Sequence, residues 1–184
     1  MTIQGCEQME LTYDNVIQYI IDEFPQLVHE YKDEYEWAKT EDGVLTYVFF
    51  EPIVRNHFYK LVTCYSNEQS EDTLLEIHRF SELFENMAIS QDFDVRNLLI
   101  VGLFEGMEPT LHGFVRSILG PESKKLLELG LMTYLQVYLG IKPTGFLDIE
   151  TYNAIMHLAT NSKSDCQTNT PGKLRQAWTR LIRR

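Results

Sequence analysis

The chain is poor in the residues that would make it a disulfide-stapled or membrane-spanning protein. Cys6, Cys64 and Cys166 are its three cysteines in 184 residues. An odd, widely spaced set builds no disulfide framework, and free thiols in a reducing compartment are the expected state. No run of about 18 apolar residues occurs, so no membrane span is predicted. The opening residues, MTIQGCEQMELTYD, lack the basic start and apolar stretch of a secretion leader, and the expected location is cytoplasmic. Catalytic signatures are missing as well. There is no G-x-S-x-G, no glycine-rich phosphate loop and no H-E-x-x-H. The five histidines, His29, His57, His78, His112 and His157, do not pair with one another or with a cysteine at metal-ligand spacing. His78 between Glu76 and Glu82 reads as a solvated helix face, and nothing around Cys64 marks it as a nucleophile. No cofactor and no catalytic residue is therefore expected.

Positive charge is scarce too: 16 lysines and arginines stand against 27 aspartates and glutamates, a formal charge of −11. The imbalance is uneven. Residues 1–42 hold eleven acids against Lys32 and Lys39, a balance of −9, whereas residues 172–184 carry Lys173, Arg175, Arg180, Arg183 and Arg184 with no acid, a balance of +5. A body this acidic repels nucleic acid and anionic lipid and draws cationic partners at long range. Plain solubility would need the same acidity. Apolar residues make up 44% and aromatics 12% of the chain, enough for a packed core.

The apolar residues recur at helical spacing. Val16, Ile17, Ile20, Ile21 and Phe24 predict a helix with Thr12 or Asp14 as its cap, stopped by Pro25. Leu27 to Trp37 predicts a second helix, acidic and aromatic, followed by a turn at Lys39–Gly43. Val44 to Tyr65 is strongly apolar with Pro52 inside it, so either two helices meet there or one helix kinks. Thr73 to Ala88 is amphipathic, with Leu74, Leu75, Ile77, Phe80, Leu83, Phe84 and Met87 inward and Glu76, Arg79, Glu82 and Glu85 outward. Asp94 to Glu108, DVRNLLIVGLFEGME, is apolar on nearly every face and should form the spine of the fold, with Asn97 and Glu105 in internal hydrogen bonds and Gly102 at a close helix approach. Leu111 to Leu119 and Pro121 to Leu139 complete the main body. The expected fold class is all-α, an irregular multi-helix array, with solenoid-like stacking of successive helical pairs as an alternative. The expected division is a helical domain over 1–122, a helix–turn–helix appendage over 123–160 packed on it, a polar linker over 161–171 and a basic C-terminal helix over 172–184.

The order YIIDEFPQL, YVFFEPI, DVRNLLIVGLFEGM and ILGPESKKLL resembles a family of bacterial all-helical domains with an EFPxL start, a VFF segment, a VxNLIxVxFLENL helix and an LLGP turn. The resemblance covers roughly residues 13–128 and touches Phe24, Pro25, Phe49, Phe50, Asn97, Glu105, Gly120 and Pro121. Gly106 stands where the family tends to have asparagine. Most of these are core or turn positions, which support a fold better than a site. The family has no assigned activity, and some members lie among toxin–immunity clusters. A shorter stretch, LQVYLGIKPTGFLDIETYNAI at 135–155, is similar to the core of a peptidoglycan-binding repeat, although the usual ending is absent.

The surface expected to carry function is the acidic and aromatic segment: Glu30, Tyr31, Asp33, Glu34, Tyr35, Glu36, Trp37, Glu41 and Asp42. Rings supply buried area at an interface and carboxylates pair with arginine or lysine. With the toxin–immunity setting that the resemblance implies, the expectation is a non-enzymatic inhibitor of a cognate toxin or other basic protein, with no nucleic-acid or membrane partner. The alternatives are a small hydrolase with an unrecognised site and a cell-wall or scaffolding module.

Overall fold

The computed structural model describes residues 10–41 and 43–139. The helix–turn–helix expected beyond 139, the linker and the basic C-terminal segment lie outside the described residues. Within them the fold is all-α: α1 (Val16–Glu23), α2 (Gln26–Glu30), α3 (Lys32–Ala38), a two-stranded ribbon of β1 (Lys39–Thr40) and β2 (Gly43–Val44), α4 (Thr46–Phe49), a π-helical segment π1 (Phe50–Arg55), α5 (Asn56–Glu68), α6 (Glu71–Ile89), α7 (Phe93–Leu99), a second π segment π2 (Ile100–Phe104), α8 (Pro109–Ile118) and α9 (Pro121–Leu139). No described helix is long and apolar enough to cross a membrane.

The buried residues form one continuous cluster rather than a stack of separate layers. Its centre is aromatic. Phe24, Phe49, Phe50, Phe58, Phe80, Phe84 and Phe104 are all fully buried. Phe24 stacks on Phe80 with ring centroids 4.1 Å apart, and Phe58 meets Phe84 edge to face at 5.0 Å. Such pairs contribute about 0.5–1.5 kcal/mol each beyond the area they bury. The 94–108 stretch lies in the middle, as its composition demands. Val95, Leu98, Leu99, Leu103, Phe104 and Met107 are buried, and only Val101 among its large apolar residues is markedly exposed.

Two helices are interrupted by π turns, and the two turns pack on each other. Pro52 has no N–H to give to the carbonyl four residues back, and its ring crowds that carbonyl. The chain widens into π1 around it and resumes as α5, so the segment is one helix with a local insertion rather than two helices. In π2 the amide of Glu105 bonds to the carbonyl of Ile100, five residues back, at 2.8 Å. Gly102 faces π1 so closely that a methyl group there would lie 2.9 Å from Phe50 Cδ1. The close approach expected at Gly102 is therefore present, and its partner is Phe50. Asn97 is internally bonded as expected, donating to the Tyr47 hydroxyl at 2.9 Å.

Four details differ from the sequence reading. Asn15, not Thr12 or Asp14, sits at the start of α1, and its side chain closes the preceding turn on the Thr12 amide and the Glu10 carbonyl. The expected 27–37 helix breaks at Tyr31, whose φ of −121° and ψ of 46° separate α2 from α3. The 39–43 turn is the tip of a ribbon in which Lys39 pairs with Val44 and Thr40 with Gly43; Gly43 takes a φ of +129°, which a side chain would resist. On α6, Leu75 is exposed rather than inward, while Glu76 and Glu85 are half-buried rather than outward.

Glu85 explains the Leu119–Gly120–Pro121 turn. Its carboxylate accepts the amides of Glu122 and Ser123 at 3.0 and 2.9 Å and the Ser123 hydroxyl at 2.7 Å, capping α9 from a different helix. A side chain on Gly120 would overlap that carboxylate. Burial alone would raise the pKa of Glu85, but the Ser123 hydroxyl, the two amides and the charge of Lys124 outweigh it and hold the group below its ordinary value. Through this cap α9 lies along α6 and over π2, with Leu127 and Leu131 buried.

Candidate functional site: an acidic tip and a shallow groove

Two residues of the expected surface are built into the fold, and most of the others stand out from it. Tyr31 and Tyr35 are half-buried: Tyr31 meets His57 edge-on at 5.8 Å and Tyr35 meets Phe49 edge-on at 5.9 Å. Burial, then the charges of Glu30 and Glu34, raise the Tyr31 hydroxyl above its ordinary value. Asp33, Glu34, Glu36, Trp37 and Glu41 are exposed, and Asp42 lies outside the described residues. The ring of Trp37 is 73% exposed, and Leu45, across the start of the ribbon, is 50% exposed. Between them Ala38 is fully buried, and its carbonyl accepts the Leu45 amide at 2.9 Å. The tip is thus held by backbone pairing while its two large apolar side chains stay in solvent. Lys39 closes one side, 2.9 Å from Glu36 and 4.5 Å above the Tyr35 ring.

Glu30 is exposed but committed. Its Oε2 lies 3.3 Å from His57 Nδ1 and 4.0 Å from Lys60 Nζ. His57 itself is only 4% exposed, and its Nε2 lies 3.2 Å from Glu76 Oε1, which also accepts the Gln26 side-chain amide at 2.8 Å. No local pattern in the sequence marks this knot, because its members lie on α2, α5 and α6 and meet only when the helices pack. His78 and Glu82 lie on the solvated helix face expected of them, both exposed, whereas Glu76 departs from it and turns to His57.

A shallow groove of about 720 Å³ runs between α5 and the start of α8. Lys60, Thr63, Cys64 and Asn67 line one wall, Glu108 and Thr110 the other, and Tyr59 the floor. The Tyr59 hydroxyl donates to the Leu103 carbonyl, and burial raises it far above its ordinary value, so it stays protonated and structural. Cys64 is exposed and no histidine lines the groove. The walls offer scattered donors and acceptors of both signs. Among the described residues, no group of three or more histidine, cysteine or carboxylate side chains could hold a metal ion.

A family model described as a domain of unknown function, DUF7674, matches residues 17–132. The matched span runs from α1 into α9 and includes the aromatic core, both π segments and the Glu85 cap. No curated protein and no solved structure matches the chain.

Proposed function

We propose, from the premise that the chain belongs to the DUF7674 family, that it is a non-enzymatic protein-binding protein whose acidic tip engages a basic partner. The observation that carries this reading is the exposed ring of Trp37 in a segment whose Asp33, Glu34, Glu36 and Glu41 are exposed as well. Tryptophan is enriched among the residues that dominate binding energy, and this one is 73% exposed on a backbone already in a helix. The surrounding acids steer a cationic surface toward it and reject anionic ones.

The form of this reading that the family resemblance of the sequence suggests is an immunity protein acting in the cytoplasm on a cognate bacterial toxin. If that toxin is a nuclease, the carboxylates of the tip stand where substrate phosphates would lie in its basic active site. The test is co-purification with the product of the neighbouring gene at low salt. A stable complex that Trp37→Ala weakens at least about tenfold is expected, in line with the loss of a central aromatic anchor. Absence of any complex at low salt would rule the partner out.

A further inference from the structure

We propose that the acidic tip is occupied in the free protein by the chain's own basic end, residues 172–184, which a basic partner must displace. Trp37 and Leu45 are 73% and 50% exposed, and the Leu45 amide on the Ala38 carbonyl fixes the start of the ribbon between them. A large ring and an aliphatic side chain left in water gain by being covered. Asp33, Glu34, Glu36 and Glu41, exposed in the same segment, favour a cationic cover. Phe93 is nearly as exposed, at 66%, but the Arg96 guanidinium lies 5.9 Å over its ring, so its cation is already supplied.

The chain itself holds a segment of the complementary kind. Residues 172–184 lie outside the described residues, and their sequence, GKLRQAWTRLIRR, carries five lysines and arginines and no acid. Leu174, Ala177, Trp178, Leu181 and Ile182 recur at i, i+3, i+4, i+7 and i+8, the spacing of an apolar stripe along one side of a helix. Rings, aliphatic groups and opposite charges thus stand ready on both sides. The reach is ample. The described body closes at Leu139, and 32 residues, 140–171, separate it from the basic segment. A stretch of that length spans up to about 110 Å when extended, against a radius of gyration of about 14 Å for a body the size of residues 10–139. Tethering makes the contact intramolecular, at an effective concentration on the order of 1 mM. A segment that binds by itself with a dissociation constant of only about 0.1 mM then fills the tip about ten times in eleven. A partner's apparent affinity falls about tenfold as a result.

Occupation by the chain's own end rests on the same reading of the tip as a docking surface, but it needs no partner. The chain has two tryptophans, so the full-length Trp178→Phe protein keeps a ring in the basic end and leaves Trp37 as the one indole. Quenching of its fluorescence by acrylamide should rise at least about threefold from low to high salt, as screening separates the charges. The same rise at low salt is expected on adding Arg175→Glu, Arg180→Glu and Arg183→Glu, and on adding Asp33→Lys and Glu34→Lys instead. The two sets together should restore protection, whereas Glu71→Lys and Asp72→Lys, at exposed acids of α6, should leave it unchanged. Equal quenching at both salts and in every variant overturns the proposal. So does protection that disappears on dilution, which would put the end of a second copy on the tip. The salt comparison needs only the Trp178→Phe chain, so a charge variant that fails to fold does not remove the test. Protection of Trp37 with no partner complex would sink the proposed function and leave this occupant standing; a partner complex built on a Trp37 that is freely quenched in the unbound chain would do the reverse.

Discussion

At the scale of single residues, two side chains set measurable terms. Glu85 caps α9 across 37 residues of sequence, counted to Glu122. Glu85→Ala should cost about 1–2 kcal/mol, the usual range for a lost cap. Gly120→Ala should be at least as damaging because its methyl group enters the space of the same carboxylate. In the Glu85→Ala background that clash is gone, so the two substitutions should be less than additive in urea unfolding. His112 is buried, and its burial lowers the imidazole below 6.5, offset in part by the hydrogen bond to the Met107 carbonyl. The unfolded chain takes up its proton near 6.5 while the folded chain resists it. Stability from His112 is thus complete above that value and is lost as pH falls below it. His112→Gln should flatten the acid-side decline of the unfolding free energy. An unchanged slope would show that other groups set it.

At the scale of elements, the uninterrupted helices were legible and the interruptions were not. The amphipathic period and the flanking polar residues placed α6 and α9 to within a few residues, and the density of apolar side chains put 94–108 at the centre. Pro52 announced a disturbance whose form the sequence left open. A π turn depends on what the widened helix can pack against, here the second π segment. The break at Tyr31 has no glycine or proline to mark it, so the signal lies in tertiary contacts with His57 rather than in local preference. Glu76 and Glu85 read as solvated because periodicity sorts residues by face, and a face can be covered by an element far along the chain. The contact between the π turns gives a sharp expectation. Gly102→Ala should destabilise by about 1–3 kcal/mol through overpacking against Phe50. A compensating Phe50→Leu should recover part of that loss in the same unfolding assay.

At the scale of the whole molecule, charge and exposed apolar surface were legible separately but not their arrangement. Composition gave the acidic excess of residues 1–42. It did not say that Glu30 and Glu36 would be engaged by His57, Lys60 and Lys39, while Asp33, Glu34 and Glu41 stay exposed in the same segment as Trp37. If the tip is an interface, its charges and its ring should separate kinetically. Charge-removing changes at Asp33 and Glu34 should slow association and weaken its salt dependence, whereas Trp37→Ala should act on dissociation. Trp37→Ala should also leave the unfolding free energy within about 0.5 kcal/mol of wild type, since the ring packs on little in the free protein. A larger loss of stability would mean that the ring supports the fold.

The cap at Glu85 also makes one helix depend on another for its start. A helix whose first turn is completed by a carboxylate on another helix has no finished start until that other helix is in place. The beginning of α9 is therefore written on α6, and the chain up to residue 89 acts as the template from which residues 121–139 set out. A condition that frays the C-terminal half of α6 should therefore loosen the first turn of α9, while the packing of α9 over π2 is untouched by the loss of the cap.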